Sequence, residues 1–493
     1  LLKRIFFPKE PPSDISWNMK MTRSICFLVG FLSLFQLARS GDTLVGIAKV
    51  DITPPLGISL NGTISQNGPA TAVHDRLHVR SIAVKNGPDV LAMAIVDNTM
   101  ISVSIIDEAK EIIEKQAGIP GSHVIIAATH AHSTPRAIVG LVDEESHINY
   151  LHSLSTKIAE AVVQARNSSI PSRIGWGSFD APEYVHNRRW FVEKNARKPN
   201  PFGEIGEVVK MNPGRKGLIK PAGPVDPRIF LLAAETADGQ PRAVLANYGL
   251  HYIGGTGRGN LSADYYGAFS DSIGKKLHAA DNGSFLGIMS NGSSGDVNAI
   301  DFTRPPIKAK PYERIEQVAD DLTSRAASVV EKIQYHSDMT LDAVEGVLKL
   351  QVRKPDQARR KWAEKNRAPE GMRLRQNRTQ VYAREALALA EFPDTVDVRL
   401  QAFRIGDLAI VSIPCEVFAE TGLAIKKNSP FPGNTFTIEL ANGYNGYLPS
   451  ARQHEWGGYE TWPARSAYLE KSAEEKIRHE ALRLLNELRK RYQ

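Results

Sequence analysis

His123-Val124-Ile125-Ile126-Ala127-Ala128-Thr129 runs directly into His130-Ala131-His132-Ser133-Thr134-Pro135. A short apolar run bounded by polar residues reads as a buried strand. Metal-competent side chains follow it without a gap. The same arrangement recurs along the chain. His251 follows the apolar run 243–250, and Asp296 and Asn298 follow the run 285–289 within Asn291-Gly292-Ser293-Ser294-Gly295-Asp296. Glu416 follows the run 408–415, and Tyr444 and Tyr447 follow the run 435–443. In α/β proteins, sites collect outside the carboxyl ends of strands. The pattern predicts a mixed α/β fold: one large domain of mixed β-sheets flanked by helices, with a metal site at strand C-terminal ends.

The rest of the chain fills in this frame. Strands are predicted at 77–85 and 89–96, joined by Asn86-Gly87-Pro88-Asp89, and helical periodicity covers 103–117 and ends before Gly118. Residues 145–166 read as an amphipathic helix with Ile148, Leu151, Leu154 and Ile158 on one face. A second hairpin joins 229–234 to 243–250 through Ala237-Asp238-Gly239. Helices near 264–279 and 312–334 flank a strand at 284–289. The stretch 354–391 is charged and helical, broken at Pro369-Glu370-Gly371, and reads as a solvated insertion that can wall the site entrance. Strands at 397–405 and 408–413 meet at Gly406-Asp407, and a helix near 417–427 and a strand at 435–440 follow. The chain closes on a charged amphipathic helix over 465–491.

Composition bounds the partners. Of 493 residues, 42% are hydrophobic, enough for a large core. Met21 and Arg23 precede the apolar run 25–37 and Ala38-Arg39-Ser40, the order of an export signal. Residues 1–40 are therefore expected to be an upstream segment plus signal peptide, 41–465 the single large domain, and 466–493 a C-terminal helix packed on it. Removing 1–40 takes six Lys/Arg and two Asp/Glu, which leaves 55 and 52 and a net charge of +3 instead of +7. That balance gives no footing to a nucleic-acid partner. Only Cys415 lies beyond residue 40, so an intramolecular disulfide and a cysteine-rich zinc site are both excluded there. An exported, disulfide-free protein points to a bacterial envelope: periplasmic or secreted.

A His-X-His triplet at a strand end would put both imidazoles on one side of an extended chain. Neutral imidazole suits zinc, and a carboxylate completes many catalytic sites. By spacing alone, His130 and His132 both qualify as ligands in any of several metallohydrolases.

Thr129-His130-Ala131-His132-Ser133 resembles the Thr-His-Thr-His-Ser-Gly-Pro motif of the neutral/alkaline, non-lysosomal ceramidases. Further matches come in order: Asn187-Arg188, Asn247 to His251, Ser290 to Val297, and Ile413-Pro414-Cys415-Glu416. Tyr447 and Tyr459, the latter followed by Glu460, match that family's paired tyrosines. The resemblance spans roughly residues 45–465. It implies one zinc ion held by His130, His251, Glu416 and Tyr447. It implies His132 as a proton-transfer or oxyanion-contacting residue, with Arg188 and Tyr459 as polar donors around the reacting carbonyl. The expected activity is hydrolysis of an amide (N-acyl) bond.

The sequence departs from that family where Asn298 replaces its serine, and where the chain ends without the family's C-terminal immunoglobulin-like domain. It resembles the shorter, ceramidase-like bacterial hydrolases more. The expected substrate is a small-molecule or lipid amide, a lipid bringing contact with a membrane surface; no protein partner is implied. Two alternatives stay open: a zinc esterase or other metallohydrolase with a non-lipid substrate, and a catalytically silent envelope binding protein. A second ion, Ca2+ or Mg2+, is also left open. Asp264 reads either as a group orienting His251 or as a helix N-cap. His74-Asp75 and Asp97 sit at strand ends as cleft or structural residues, and His123 reads as structural.

Overall fold

Apolar alternation on both faces of the central strands dictates the layering. In the strand Asp89–Val96, Leu91, Met93 and Ile95 face one core while Ala92, Ala94 and Val96 face another. The strand Arg228–Thr236 does the same, with Phe230, Leu232 and Ala234 on one side and Ile229, Leu231 and Ala233 on the other. A strand apolar on both sides must be covered on both sides. A computed structural model describes residues 43–60, 68–139, 145–369 and 376–492. Residues Arg39–Gln493 form one compact unit.

The large sheet has eight strands: β1 (Leu44–Asp51), β2 (His78–Asn86), β3 (Asp89–Val96), β4 (Val124–Ala128), β5 (Ile170–Asp180), β6 (Arg228–Thr236), β7 (Pro241–Tyr248) and β8 (Leu286–Asn291). Their spatial order is β8-β7-β6-β5-β1-β2-β3-β4. A second sheet runs β9 (Leu341–Gln351), β10 (Thr395–Ile405), β11 (Leu408–Ile413) and β12 (Thr435–Glu439) in sequence order. The two sheets pack face to face, with Phe230, Ile288 and Met93 meeting Phe403, Ile410 and Phe436 in one cluster. Helices α1 (Val103–Ala117) and α2 (Glu145–Asn167) cover one half of the outer face of the large sheet. Helices α3 (Asp264–Lys276) and α4 (Glu313–Val330) cover the other half. Beyond α5 (Gln357–Asn366) and α6 (Arg378–Ala390), helices α7 (Ala419–Asn428) and α8 (Ala473–Lys490) cover the small sheet. The result is a helix–sheet–sheet–helix stack, the mixed α/β class expected from the sequence.

Within these two sheets, three neighbouring pairs are parallel among the described residues: β3 with β4, β7 with β8, and β11 with β12. The residues that follow β4, β7, β8, β11 and β12 carry the polar groups singled out above. Parallel pairing brings the carboxyl ends of neighbouring strands to the same edge, which is how distant sequence positions converge.

Several details differ from the sequence reading. Ile148 is 40% exposed, and the buried stripe of α2 runs through His147, Tyr150, Leu151, Leu154 and Ile158. The last helix begins at Ala473, not 465, because the preceding segment is engaged elsewhere. There the Ser466 carbonyl accepts the Tyr447 N–H, and Leu469 bridges to Val352. The strands β1, β5 and β9 were not among those predicted. Two readings, the leader 1–40 and Glu370-Gly371 of the helix break, lie outside the described residues. Among the described residues, no helix is long and apolar enough to cross a membrane.

Candidate metal centre

The His130 backbone is not extended. Its φ is 70°, in the left-handed region that a non-glycine residue seldom adopts. The Thr129 N–H donates to the Val96 carbonyl and the His130 N–H to the Asn98 carbonyl, pulling the chain across the end of β3. The imidazoles therefore meet through a turn, and the extended geometry expected of His-X-His does not apply. Backbone strain of this kind persists where its surroundings enforce it, and it clusters at functional sites.

The turn brings three imidazoles together. The ring centroids of His130 lie 4.6 Å from those of His132 and 4.5 Å from those of His251. Each outer nitrogen has an anchor: His130 Nδ1 lies 2.7 Å from the Thr99 carbonyl and His251 Nδ1 3.1 Å from the Ser294 carbonyl. A carbonyl only accepts, so both Nδ1 atoms carry the proton and both Nε2 atoms present lone pairs. His132 stacks on Tyr252 at 3.8 Å. Burial holds its pKa well below the usual histidine value, with the charges of His130, Arg188 and Arg136 acting in the same direction.

Glu416 and Tyr447 arrive as a registered pair. A short parallel ladder sets Glu416 opposite Tyr447, and the Glu416 Oε2 lies 3.2 Å from His130 Nε2. The Tyr444 hydroxyl donates to Glu416 Oε1 at 3.0 Å, and the Tyr447 hydroxyl bonds to the Glu416 and Arg188 side chains. Burial alone would raise the Glu416 pKa; His130, Arg188 and Tyr447 outweigh it and bring it below the usual range. The Gly295 backbone passes so close that a Cβ there would sit 2.5 Å from the Glu416 carbonyl oxygen.

Arg188 sits between the centre and a buried carboxylate. Its Nε donates to Glu460 Oε1 at 3.0 Å and its Nη2 to the Gly295 carbonyl at 2.8 Å. Its Nη1 is 3.4 Å from His251 Nε2. The other Glu460 oxygen accepts from Arg189 at 2.6 Å. The Tyr459 ring lies 5.7 Å from that of Tyr447, and burial pushes its hydroxyl pKa far up. All seven residues named from the resemblance are thus brought to one place.

Some supporting residues were not assigned from the sequence. Glu439, at the end of β12, accepts from Asn291 Nδ2 and the Ser294 hydroxyl on one oxygen, and from the Ser294 and Val417 N–H groups on the other. It therefore steadies the partner of His251 and the neighbour of Glu416 at once. An acidic residue closing a buried strand was the available signal. Asp296 points away from the imidazoles, holding Asn187 Nδ2 and the Ala419 N–H, both at 2.8 Å. Asn298 bonds to Asn212 at 3.2 Å. Asp264 orients no histidine: it accepts from the Ile253, Gly254 and Tyr265 N–H groups, pinning the loop after His251 to the start of α3. Asp97 pairs with buried Arg80 at 2.5 Å, His74 pairs with Asp75 at 2.8 Å, and His123 bonds to the Val90 carbonyl at 3.1 Å. Cys415 is a buried free thiol.

The donor set fits a divalent metal. His130 Nε2 faces His132 Nε2 at 3.3 Å and Glu416 Oε2 at 3.2 Å, and one proton cannot serve both contacts. A cation held by His130 Nε2 and Glu416 Oε2 resolves this, since two donors each about 2.0–2.1 Å from a tetrahedral zinc ion stand about 3.3 Å apart. Among the described residues, His130, His132 and His251 are the group whose ligand atoms all lie within 4.8 Å of one another. They could hold a metal ion.

Fold and site together describe an α/β protein with a buried histidine centre at the carboxyl edge of two packed sheets. Solved structures that share this fold include a neutral ceramidase from Pseudomonas aeruginosa, with a TM-score of 0.63, 15% identity, and coverage of 91% of this chain and 75% of that one. A ceramidase complexed with C2 aligns with a TM-score of 0.65, 15% identity, and coverage of 91% and 76%. At this identity the likeness is one of fold. No protein-family model and no curated relative matches the sequence.

Proposed function

We propose that the chain is an exported, zinc-dependent hydrolase that cleaves an amide (N-acyl) bond. One observation carries the reading: three imidazoles and a carboxylate converge on one point, on a fold shared with proteins named as ceramidases. His130, His251, Glu416 and Tyr447 would hold the ion. Zinc, when bound, supplies a Lewis acid that polarises an acyl carbonyl and lowers the pKa of water. His132 accepts a proton from the attacking water and hands it to the departing amine as the carbon–nitrogen bond breaks. The Arg188 Nη1 and the Tyr459 hydroxyl donate to the oxygen that gains charge, and burial strengthens both contacts. Glu460 holds the other side of the Arg188 guanidinium, so that this donor is aimed before substrate arrives.

The test is zinc content by mass spectrometry, combined with hydrolysis of acyl-amide and acyl-ester probes that share one acyl chain. About one zinc per chain is expected, with amide cleavage lost on chelation and restored by zinc. Ester cleavage without amide cleavage would support the esterase reading, and a chain that holds no zinc would support the silent binding protein. Export rests on the order of charge, apolar run and small residues in 21–40. Edman sequencing of protein from periplasm or medium should start near Gly41; an uncleaved chain in the cytoplasm would reject export.

A further inference from the structure

A cavity of about 300 Å³ opens directly on His132. That volume is at the bottom of the range for small-molecule sites. Its lining is polar. Among the described residues that line it, Leu60 is the single apolar side chain, beside His132, Ser133, Thr256, Arg258 and Asn260. A long hydrocarbon chain finds little to pack against there.

The loop that supplies this wall is built to a fixed shape. Gly254, Gly255, Gly257 and Gly259 all have φ between 76° and 78°. A Cβ at Gly259 would lie 2.5 Å from the Thr71 hydroxyl, and one at Gly257 would lie 3.0 Å from Asn260 Nδ2. Asp264 pins the start of the loop through the Ile253 and Gly254 N–H groups. Asn260 Nδ2 donates to the Thr256 carbonyl at 2.9 Å, and the Ser133 and Thr256 hydroxyls bond at 2.6 Å. Arg258 is thereby held over the cavity between two glycines.

Charge around the cavity is positive. No carboxylate pairs with Arg258 among the described residues. The nearby carboxylates are occupied: Asp75 by His74 and Ser262, Asp264 by three backbone N–H groups, and Glu460 by Arg188 and Arg189. The Arg136 and Arg188 charges also reach His132. An exposed guanidinium with no carboxylate partner among the described residues, carried on a loop of defined backbone beside a polar cavity, is a ready receptor for a planar or tetrahedral oxyanion.

We propose that the substrate of this centre is an N-acyl compound carrying an anionic group next to the scissile amide, bound by Arg258 in the cavity over His132. This rests on the amide-hydrolase reading above. The anion is a carboxylate or a phosphate.

The test compares N-lauroyl-glycine, N-lauroyl-phosphoethanolamine and the neutral N-lauroyl-glycinamide, by amine release and by calorimetric binding. Either anionic compound should be cleaved with kcat/KM about tenfold or more above the neutral one; the two anionic arms show whether carboxylate or phosphate is preferred. Arg258→Ala should raise KM for the anionic compound about tenfold or more and leave the neutral compound unchanged, with partial recovery in Arg258→Lys. Equal cleavage of neutral and anionic compounds, or an equal loss on both in Arg258→Ala, overturns the inference and leaves the amide-hydrolase reading standing. Should no amide be cleaved, that reading falls, and binding decides the inference. Tighter binding of the anion that is lost in Arg258→Ala supports it, and equal binding of charged and neutral compounds overturns it.

Discussion

Replacing His130 with alanine is expected to remove the metal and, with it, hydrolysis by at least about a thousandfold, equivalent to about 4 kcal/mol of transition-state stabilisation. The size of the effect follows from how many features this one residue joins. Its Nε2 faces both His132 and Glu416, and its Nδ1 is fixed by the Thr99 carbonyl. Alanine removes the donor at the centre of the cluster and leaves the Glu416 carboxylate buried beside Arg188. Metal stoichiometry after dialysis is the primary readout, and circular dichroism checks that the variant folds. His132→Ala is the informative partner. With His132 in a proton-carrying role, that variant retains zinc while activity falls; loss of zinc in both would make His132 a ligand. Unchanged zinc in His130→Ala would remove His130 from the site.

Glu460→Ala is expected to cost about 3–5 kcal/mol of stability, the usual result of removing one partner from a buried ion pair. Glu460 and Arg189 are fully buried, and Arg188 is nearly so. One carboxylate bridges two guanidiniums, so alanine would leave two buried cations that have lost their direct ion pair, with Glu416 near Arg188 and Asp296 near Arg189 as the remaining acidic neighbours. Glu460→Gln keeps the volume and one acceptor, and should lose less. The midpoint of urea denaturation checks both variants. A shift worth less than about 1 kcal/mol would show that Arg188 and Arg189 find other partners. The same variant tests Arg188 as a donor. A guanidinium released from Glu460 should lower kcat more than it raises KM, because a misaimed donor costs most in the transition state.

Much of this was legible in the sequence. The hairpin at Asn86-Gly87-Pro88-Asp89 forms with Asn86 opposite Asp89, and Gly118 ends α1 in the left-handed conformation. Turn and cap residues act locally, so their chemistry can be read locally. The strand 170–180 was not legible. Pro171, Gly175 and Gly177 weaken its intrinsic preference, and it is a strand because β1 and β6 pair with it. A Cβ at Gly175 would meet Ile333 at 2.3 Å, so the glycine that hides the strand also lets the segment after α4 approach.

The opening stretch divides along the same line. The sequence by itself determined that a buried strand runs through 123–129 and that polar groups follow several strands, and its resemblance to a known family picked out His130, His251, Glu416 and Tyr447 as candidate ligands. The first two are properties of residue type and order, and the third of ordered motifs. The tertiary structure alone decided that the groups meet. Parallel pairing sets the ends of β4, β7, β8, β11 and β12 along one edge, and a single φ of 70° aims His130 inward. It also decided that Glu439 and Glu460 brace the centre. The physical reason is range. Strand endings and turns arise from interactions a few residues apart, whereas His130 and Glu416 are brought to 3.2 Å by two sheets packing across a shared core.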